Sequence, residues 1–265
     1  MTILEQIGER TKERIEAEKR LLPMGELKAR MAELPQGTPD FPFEKAIAKK
    51  GISFICEVKK ASPSKGLIAA EFPFVKIARE YEAAGAGAIS VLTEPFFFQG
   101  RDDYLREIRR EVRIPLLRKD FTVDEYMLYQ AGEMGANAVL LICAILSPMQ
   151  LSEYLGIATE LGLSALVEAH DEKEVEMALA SGAKIIGVNN RNLKDFTVDA
   201  QTSVRLRKLV PEDRLFVSES GMKTRDDIAG LEKAGVNAVL IGETLMRSAD
   251  KKRILAELAG RSNED

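Results

Sequence analysis

Short apolar segments rich in β-branched residues alternate with longer segments of helical periodicity from residue 51 onward. This alternation is typical of strand–helix units whose parallel strands form one sheet. The segments predicted as strands are 52–58, 88–92, 115–119, 138–143, 164–168, 184–188, 215–218 and 238–241. A helical pattern follows each strand, the last at about 243–258. Eight such units close a barrel, so we predict an α/β protein with a single (β/α)8 barrel, a TIM barrel.

The ends of four predicted helices share one sequence form, in which a glycine precedes the next strand. These glycines are Gly85, Gly135, Gly182 and Gly235. Glycine is favoured just after a helix because the left-handed conformation found there carries no Cβ penalty. The shared form supports a repeat of helix, glycine and strand.

Residues 1–50 lie outside this repeat. They contain helical patterns at 4–21 and 26–34, and a segment at 35–43 whose three prolines and one glycine predict a connector. We expect residues 1–50 to form a helical extension that caps the barrel of residues 51–265, the whole being one structural domain. A solvated extension is the alternative.

Composition and charge favour a globular protein and argue against nucleic-acid and membrane partners. Hydrophobic residues make up 45% of the chain and charged residues 30%, which is typical of a globular protein. The formal charge of −4 argues against a nucleic-acid partner, because phosphate contacts usually require a basic surface. The apolar stretch 138–146 is too short to span a membrane, and the charged amino terminus lacks a secretory signal. We expect a cytoplasmic protein without a membrane partner.

Cysteine and histidine are scarce. Cys56 and Cys143 lie in apolar segments and are predicted to be buried, reduced thiols, with a catalytic or bridged role as the alternative. With one histidine, His170, and no paired Cys/His spacing, we expect no metal site. His170 is predicted to begin the helix after the fifth strand, with a catalytic role as the alternative.

Polar residues end several of the apolar strands, at the rim where barrel enzymes carry their chemistry. Glu57 and Lys59 share one face of the first strand. They could act as an acid and a base, or they could form a buried ion pair that fills the barrel. Lys119 and Glu168 end the third and fifth strands, where they could act as general acid and base. Because side chains alternate along a strand, Arg118 or Asp120 could face the barrel interior in place of Lys119.

The loops after the last three strands predict substrate contacts. Asn189 and Arg191 could orient a planar substrate or bind a carboxylate, or they could only stabilise a turn. Gly221 and Gly242 stand in the two loops that frequently bind phosphate in barrels, although each could serve a tight turn alone. We therefore predict a phosphorylated small molecule as the partner.

Seven segments in order resemble the indole-3-glycerol-phosphate synthase family. They are EVKKASPSKG (57–66), SVLTE (90–94), LRKDF (117–121), LVEAH (166–170), GVNNRNL (187–193), SESG (218–221) and IGETLM (241–246). The likeness extends from about residue 54 to residue 247, and the helical extension is also a family feature. It implies a lyase of tryptophan biosynthesis that converts 1-(2-carboxyphenylamino)-1-deoxyribulose 5-phosphate to indole-3-glycerol phosphate, with loss of carbon dioxide and water. It implies no cofactor and no metal.

The resemblance also implies roles for individual residues. Lys119 is implied as general acid, Glu168 as general base with Glu57 assisting, and Asn189 as the residue that orients the intermediate. Implied substrate contacts are Lys59, Ser62, Phe98, Phe121, Arg191 and Ser220, with the two phenylalanines as aromatic walls and Arg191 as the carboxylate contact. Lys59, Gly221, Gly242 and Glu243 are implied to bind phosphate. Some family members have a small hydroxyl residue where this chain has Glu243, so only its backbone N–H is assigned.

Two other functions compete with this one. Phosphoribosylanthranilate isomerase is also a phosphate-binding barrel, but its pattern would place a cysteine base at the first strand, where this chain has Glu57 and Lys59. A catalytically silent phosphate-binding module would lack the acid and base residues, yet Glu57, Lys119 and Glu168 are present. We expect a monomer, with a weak homodimer as the alternative.

Overall fold

Eight parallel strands close into a barrel in the computed structural model, which describes residues 2–34, 39–192 and 196–261. The strands are β1 (Ser53–Val58), β2 (Ala88–Leu92), β3 (Leu116–Lys119), β4 (Ala138–Ile142), β5 (Ser164–Ala169), β6 (Ile185–Asn189), β7 (Leu215–Glu219) and β8 (Ala238–Ile241). Each strand pairs in parallel with its sequence neighbours, and β8 closes onto β1 with Ala238 opposite Ser53. The predicted (β/α)8 barrel is confirmed.

Helices surround the barrel and precede it. They are α1 (Ile3–Leu21), α2 (Met24–Glu33), α3 (Pro42–Ile47), α4 (Phe74–Ala83), α5 (Asp102–Glu111), α6 (Tyr126–Glu133), α7 (Pro148–Glu160), α8 (Glu172–Ala180), α9 (Gln201–Arg207), α10 (Arg225–Lys233), α11 (Glu243–Arg247) and α12 (Lys251–Ala259). A short hairpin pairs Ala61–Ser62 with Gly66–Leu67. Gly135 and Gly182 have φ angles of 83° and 87°, the left-handed geometry predicted after helices. Residues 35–38 of the predicted connector lie outside the described residues.

Six of the eight predicted strands differ from the structure by one residue at one or both ends, and α3 begins inside the predicted connector, at Pro42. The fourth strand ends at Ile142, because Cys143 begins a 3-10 helix over Cys143–Ile145. The helix predicted at 243–258 is divided into α11 and α12. The division is stabilised by Lys251, whose Nζ donates to the carbonyls of Leu245 (2.7 Å) and Met246 (3.1 Å) at the end of α11. A helix end leaves such carbonyls without partners inside the helix, and the ammonium satisfies them.

Side-chain alternation divides the apolar residues into an inner and an outer layer. Ile55, Leu117 and Leu166 belong to the cluster inside the barrel, whereas Cys56 and Val167 pack in the layer between strands and helices. Both cysteines are free and buried, as predicted. Inward positions recur every second residue, so a polar residue two places after an inward apolar one also faces the barrel axis.

The residues before β1 contact both ends of the barrel. Ile3, Leu4 and Ile7 of α1 line a cavity at the carboxyl ends of the strands. Phe43 and Ile47 of α3 are buried in the inner cluster. These contacts agree with a cap, and the domain division at residue 50 stays a prediction. Among the described residues, no helix is long and apolar enough to cross a membrane.

Candidate active site

A cavity of about 940 Å³ opens at the carboxyl ends of the barrel strands. Every predicted site residue lines it: Glu57, Lys59, Ser62, Phe98, Lys119, Phe121, Glu168, Asn189, Arg191, Ser220, Gly221, Gly242 and Glu243. The residues come from loops and strand ends that are far apart in sequence. Closure of the barrel is what brings them together.

Lys119 lies between two buried carboxylates. Its Nζ is 3.0 Å from Glu168 Oε2 and 3.2 Å from Glu219 Oε2, and the lysine side chain is 13% exposed. Arg118 points outward, where it donates to the carbonyl of Met127 at 2.9 Å. Of the three charged residues that end the third strand, Lys119 is therefore the one that meets Glu168.

The charges of this cluster separate the pKa values of its members. Burial lowers the pKa of Lys119, but the carboxylates of Glu168, Glu219 and Glu57 outweigh burial and hold it above its ordinary value. Burial raises the pKa of Glu168, but Lys119 and His170 hold it below the usual range. For Glu219, burial and the charges of Glu168 and Glu57 outweigh Lys119 and raise the pKa to about 7. Such separation allows an acid and a base to coexist in one site.

We expect Glu219→Gln to stabilise the protein increasingly as the pH rises from 5 to 8. A carboxyl whose folded-state pKa is raised stabilises the fold fully below its unfolded value near 4.5, and that stabilisation is lost as the pH rises through about 7. The difference should approach about 3–4 kcal/mol at most, at roughly 1.4 kcal/mol per pKa unit. Urea unfolding at both pH values measures it. The exposed Glu153→Gln is the control, and a pH-independent difference for Glu219→Gln would contradict the argument.

Glu57 and Lys59 form an ion pair on the wall of the cavity. The Glu57 side chain is 5% exposed and that of Lys59 18%, so the lysine remains accessible from the cavity. A Cβ at Gly242 would meet the Glu57 carboxylate and would lie 2.8 Å from Lys59 Nζ. The absence of a side chain at Gly242 therefore gives the pair its space.

The turn after β7 is conformationally strained and held in place. Ser220 and Gly221 have φ angles of 67° and 95°. Non-glycine residues in this region are uncommon and cluster at functional sites. Asn190, which is buried, donates from Nδ2 to the Ser220 carbonyl and to Ser218 Oγ, both at 3.0 Å. These bonds keep the turn at the cavity wall.

The carboxylate of Glu243 is engaged by two cations. Its Oε1 lies 3.2 Å from Arg247 Nε and 3.6 Å from Lys65 Nζ. These contacts offset the negative charge at the start of α11. The backbone N–H groups at a helix start have no partner within the helix and favour an anion.

Two aromatic rings, Phe98 and Phe121, form another part of the cavity wall. The centroids of Phe98 and Phe121 are 5.9 Å apart, and their planes are inclined by 37°. Glu94 is buried and accepts the backbone N–H groups of Phe96, Phe97 and Phe98 at 2.7–3.0 Å, which fixes the loop that carries Phe98. Asn189 Oδ1 accepts the backbone N–H of Arg191 at 3.1 Å.

Sequence reasoning missed Glu219 as a site residue and assigned His170 to the next helix. The inward position of Glu219, two residues after the inward Val217, was the available signal for it. His170 precedes the helix instead, since Asp171 is the N-cap of α8 and its side chain accepts the backbone N–H of Glu174. His170 Nε2 lies 3.3 Å from Glu168 Oε1. In the described part of the chain, no group of three or more His, Cys, Asp or Glu side chains could hold a metal ion.

A buried lysine–carboxylate cluster, two glycine turns and an aromatic wall at this end of a (β/α)8 barrel define an enzyme site for a small anionic substrate. The family model described as indole-3-glycerol phosphate synthase matches residues 4–258. The chain belongs to this family.

Known proteins support the family and the fold. The indole-3-glycerol phosphate synthase of Ruminiclostridium cellulolyticum is 56% identical over 258 residues, covering 97% of this chain and 99% of that protein. The enzyme of Lacticaseibacillus casei is 50% identical over 261 residues, covering 98% and 100%. The structure of 3-hexulose-6-phosphate synthase from Salmonella typhimurium matches with a TM-score of 0.65 at 12% identity, covering 79% of this chain and 97% of that one. A likeness at such low identity supports the fold alone.

Proposed function

We propose that this protein catalyses the ring closure of 1-(2-carboxyphenylamino)-1-deoxyribulose 5-phosphate to indole-3-glycerol phosphate in tryptophan biosynthesis. The observation that carries the proposal is the placement of Lys119 within 3.0 Å of Glu168, in the cavity that also holds the two aromatic rings and the glycine turns. One end of this cavity suits an anthranilate ring and the other a phosphate.

The acid and base roles follow from the charges. Lys119 donates a proton to the ribulose carbonyl oxygen as the ring carbon that bears the carboxylate attacks the carbonyl carbon. A positioned cation stabilises the charge that develops on this oxygen. Carbon dioxide then leaves and the ring regains its aromaticity. In the dehydration that follows, the carbon–oxygen bond to the new hydroxyl breaks and Glu168, with Glu57 assisting, accepts a proton from the neighbouring ring carbon. This proton balances the one that the departing hydroxide takes up to leave as water.

Substrate contacts divide between the two ends of the cavity. At the phosphate end, Lys59 supplies a positive charge, while Gly221, Gly242 and Glu243 supply backbone N–H groups. At the aromatic end, Phe98 and Phe121 flank the anthranilate ring and Arg191 binds its carboxylate. Ser62 and Ser220 contact the substrate. Asn189 orients the intermediate, and its Nδ2 lies 3.3 Å from Glu168 Oε1.

We also propose a domain organisation, a cellular location and an oligomeric state for the protein. Residues 1–50 form a capping extension of the barrel of residues 51–265, within one structural domain. The protein acts in the cytoplasm as a monomer. Sedimentation velocity measures the oligomeric state, and a stable dimer at micromolar concentration would contradict this last point.

A fluorescence assay tests the activity directly. We expect purified protein to convert the anthranilate-derived ribulose phosphate to a product with indole fluorescence. Folded protein that gives no signal would contradict the proposal. Phosphoribosylanthranilate offered in parallel tests the isomerase alternative, and its turnover in place of ring closure would favour that function.

We expect Lys59→Gln to raise KM by about 10- to 100-fold, the range that corresponds to one hydrogen bond to a charged group. Glutamine keeps a donor for Glu57 but removes the charge that attracts phosphate. The matched control is Lys60→Gln, whose side chain does not line the cavity. Steady-state kinetics of both variants measure the effect. An unchanged KM for Lys59→Gln would remove this lysine from the phosphate site.

A further inference from the structure

Glu168 is contacted by polar groups at both of its carboxylate oxygens. Oε2 faces Lys119 Nζ at 3.0 Å. Oε1 faces Asn189 Nδ2 and His170 Nε2, each at 3.3 Å. The carboxylate therefore lies between two basic groups, of which only the lysine lines the cavity.

His170 is held on its far side by Glu174. The Glu174 Oε2 atom lies 3.0 Å from His170 Nδ1 and accepts the backbone N–H of His170 at 2.8 Å. Glu174 lies in the first turn of α8, where its own backbone N–H donates to the side chain of Asp171 at 3.0 Å. The imidazole is thus fixed against the start of a helix, with Nε2 directed toward the barrel.

The Nε2 atom of His170 is buried and has no aligned hydrogen-bond partner among the described residues. A buried polar atom without such a partner calls for an explanation, and a catalytic role is one. Hydrogen bonds that serve catalysis are often poorly aligned in a free enzyme and tighten when substrate binds. The 3.3 Å separation from Glu168 Oε1 fits this case.

The surroundings of His170 are predominantly acidic. The titratable groups near it are Glu168 on β5, Glu174 and Asp171 at the start of α8, Lys119 beyond Glu168, and Cys143, whose Sγ donates to the Glu174 carbonyl at 3.5 Å. Burial lowers the pKa of His170, but Glu168 and Glu174 outweigh it and raise the pKa to about 10. Burial also raises the pKa of Cys143 to about 12, which keeps the thiol neutral. The imidazole is therefore a cation at neutral pH.

We propose that His170, held by Glu174, is a positioning residue that keeps the Glu168 carboxylate oriented and ionised through the catalytic cycle. The inference rests on the proposed function, in which Lys119 gives up its proton to the substrate. At that step Lys119 becomes neutral, and Glu168 loses the cation at Oε2. The imidazolium at Oε1 remains, so Glu168 stays ionised for the proton that it must accept next.

Two substitutions separate the orientation of Glu168 from its charge. The amide nitrogen of glutamine reaches the place of His Nε2, so His170→Gln keeps a neutral donor toward Glu168. The asparagine side chain in His170→Asn is shorter and does not reach Glu168. Both variants lack the cation, so we expect the acid limb of kcat, which reports ionisation in the substrate complex, to move up by about one pH unit in each. Above that limb, His170→Gln should keep kcat within about twofold, and His170→Asn should lose about tenfold. KM should not change, because His170 does not line the cavity.

Nuclear magnetic resonance provides a readout that is independent of activity. His170 is the only histidine in the sequence, so its imidazole signal needs no assignment. We expect it to titrate well above 6.5 in the unmodified protein, and at lower pH in Glu174→Gln. Titration near 6.5 in the unmodified protein would overturn the inference. So would an unchanged pH profile and kcat in both His170 variants of an active enzyme. Absence of activity in the unmodified protein would instead contradict the proposed function, while the titration would still test the contact.

Discussion

Replacing Lys119 with methionine is expected to lower kcat about a thousandfold or more. A positioned general acid contributes roughly 10²- to 10⁴-fold, and in the proposed mechanism the lysine also stabilises charge on the carbonyl oxygen. Methionine has a similar length and no proton to give. Product binding should persist, because the substitution leaves the proposed phosphate and aromatic contacts unchanged. Single-turnover kinetics and a product titration by fluorescence measure the two quantities separately.

The folded state of Lys119→Met needs its own check, because the substitution leaves Glu168 and Glu219 without their common cation. Circular dichroism and retained product binding show whether the variant folds. Lys76→Met, at a side chain that is 74% exposed, is the control for loss of a lysine. Turnover close to normal in folded Lys119→Met would remove this residue as the acid.

Replacing Asp120 with asparagine is expected to lower the free energy of unfolding by about 3–5 kcal/mol, the usual effect of leaving a buried charge unpaired. The Asp120 side chain is 1% exposed and lies 3.0 Å from Arg14 on α1. It also accepts a hydrogen bond from Thr93 at 2.6 Å. The substitution would leave the guanidinium of Arg14, itself 10% exposed, without its main partner. Urea unfolding at pH 7 measures the loss.

Lowering the pH should reduce the difference in the free energy of unfolding between Asp120→Asn and the unmodified protein. Burial raises the pKa of Asp120, but Arg14 and Arg118 outweigh it and hold the pKa below its ordinary value of 3.8. The stabilisation is thus present above that value and is lost as the pH falls through the folded-state pKa. The control is Asp124→Asn, whose partner Lys19 lies at 2.6 Å but whose side chain is 27% exposed. The Asp124–Lys19 pair is only partly buried, and ion pairs near solvent contribute less than buried ones, about 1 kcal/mol or less when fully exposed. Equal losses in the two variants would contradict the argument.

The sequence alone was sufficient for the fold and for most of the site. Strand positions follow from local runs of apolar residues, and the count of eight strands then determines the type of barrel. The inward faces of Glu57, Lys119 and Glu168 follow from alternation within each strand once one inward residue is known. Information of this kind lies within a few neighbouring residues, so it is visible in the sequence. The roles of these residues came from the resemblance to a family.

Only the tertiary structure decided which groups meet. Lys119 and Glu168 are 49 residues apart, and their contact depends on closure of the whole barrel. The same closure buries Glu219 beside Lys119 and raises its pKa. His170 follows Glu168 by two residues, and Glu174 of α8 holds its ring toward Oε1 of that carboxylate. Distances and burial depend on residues that are remote in sequence. Periodicity therefore predicts where each side chain points, while the charges that surround it emerge only when the strands close.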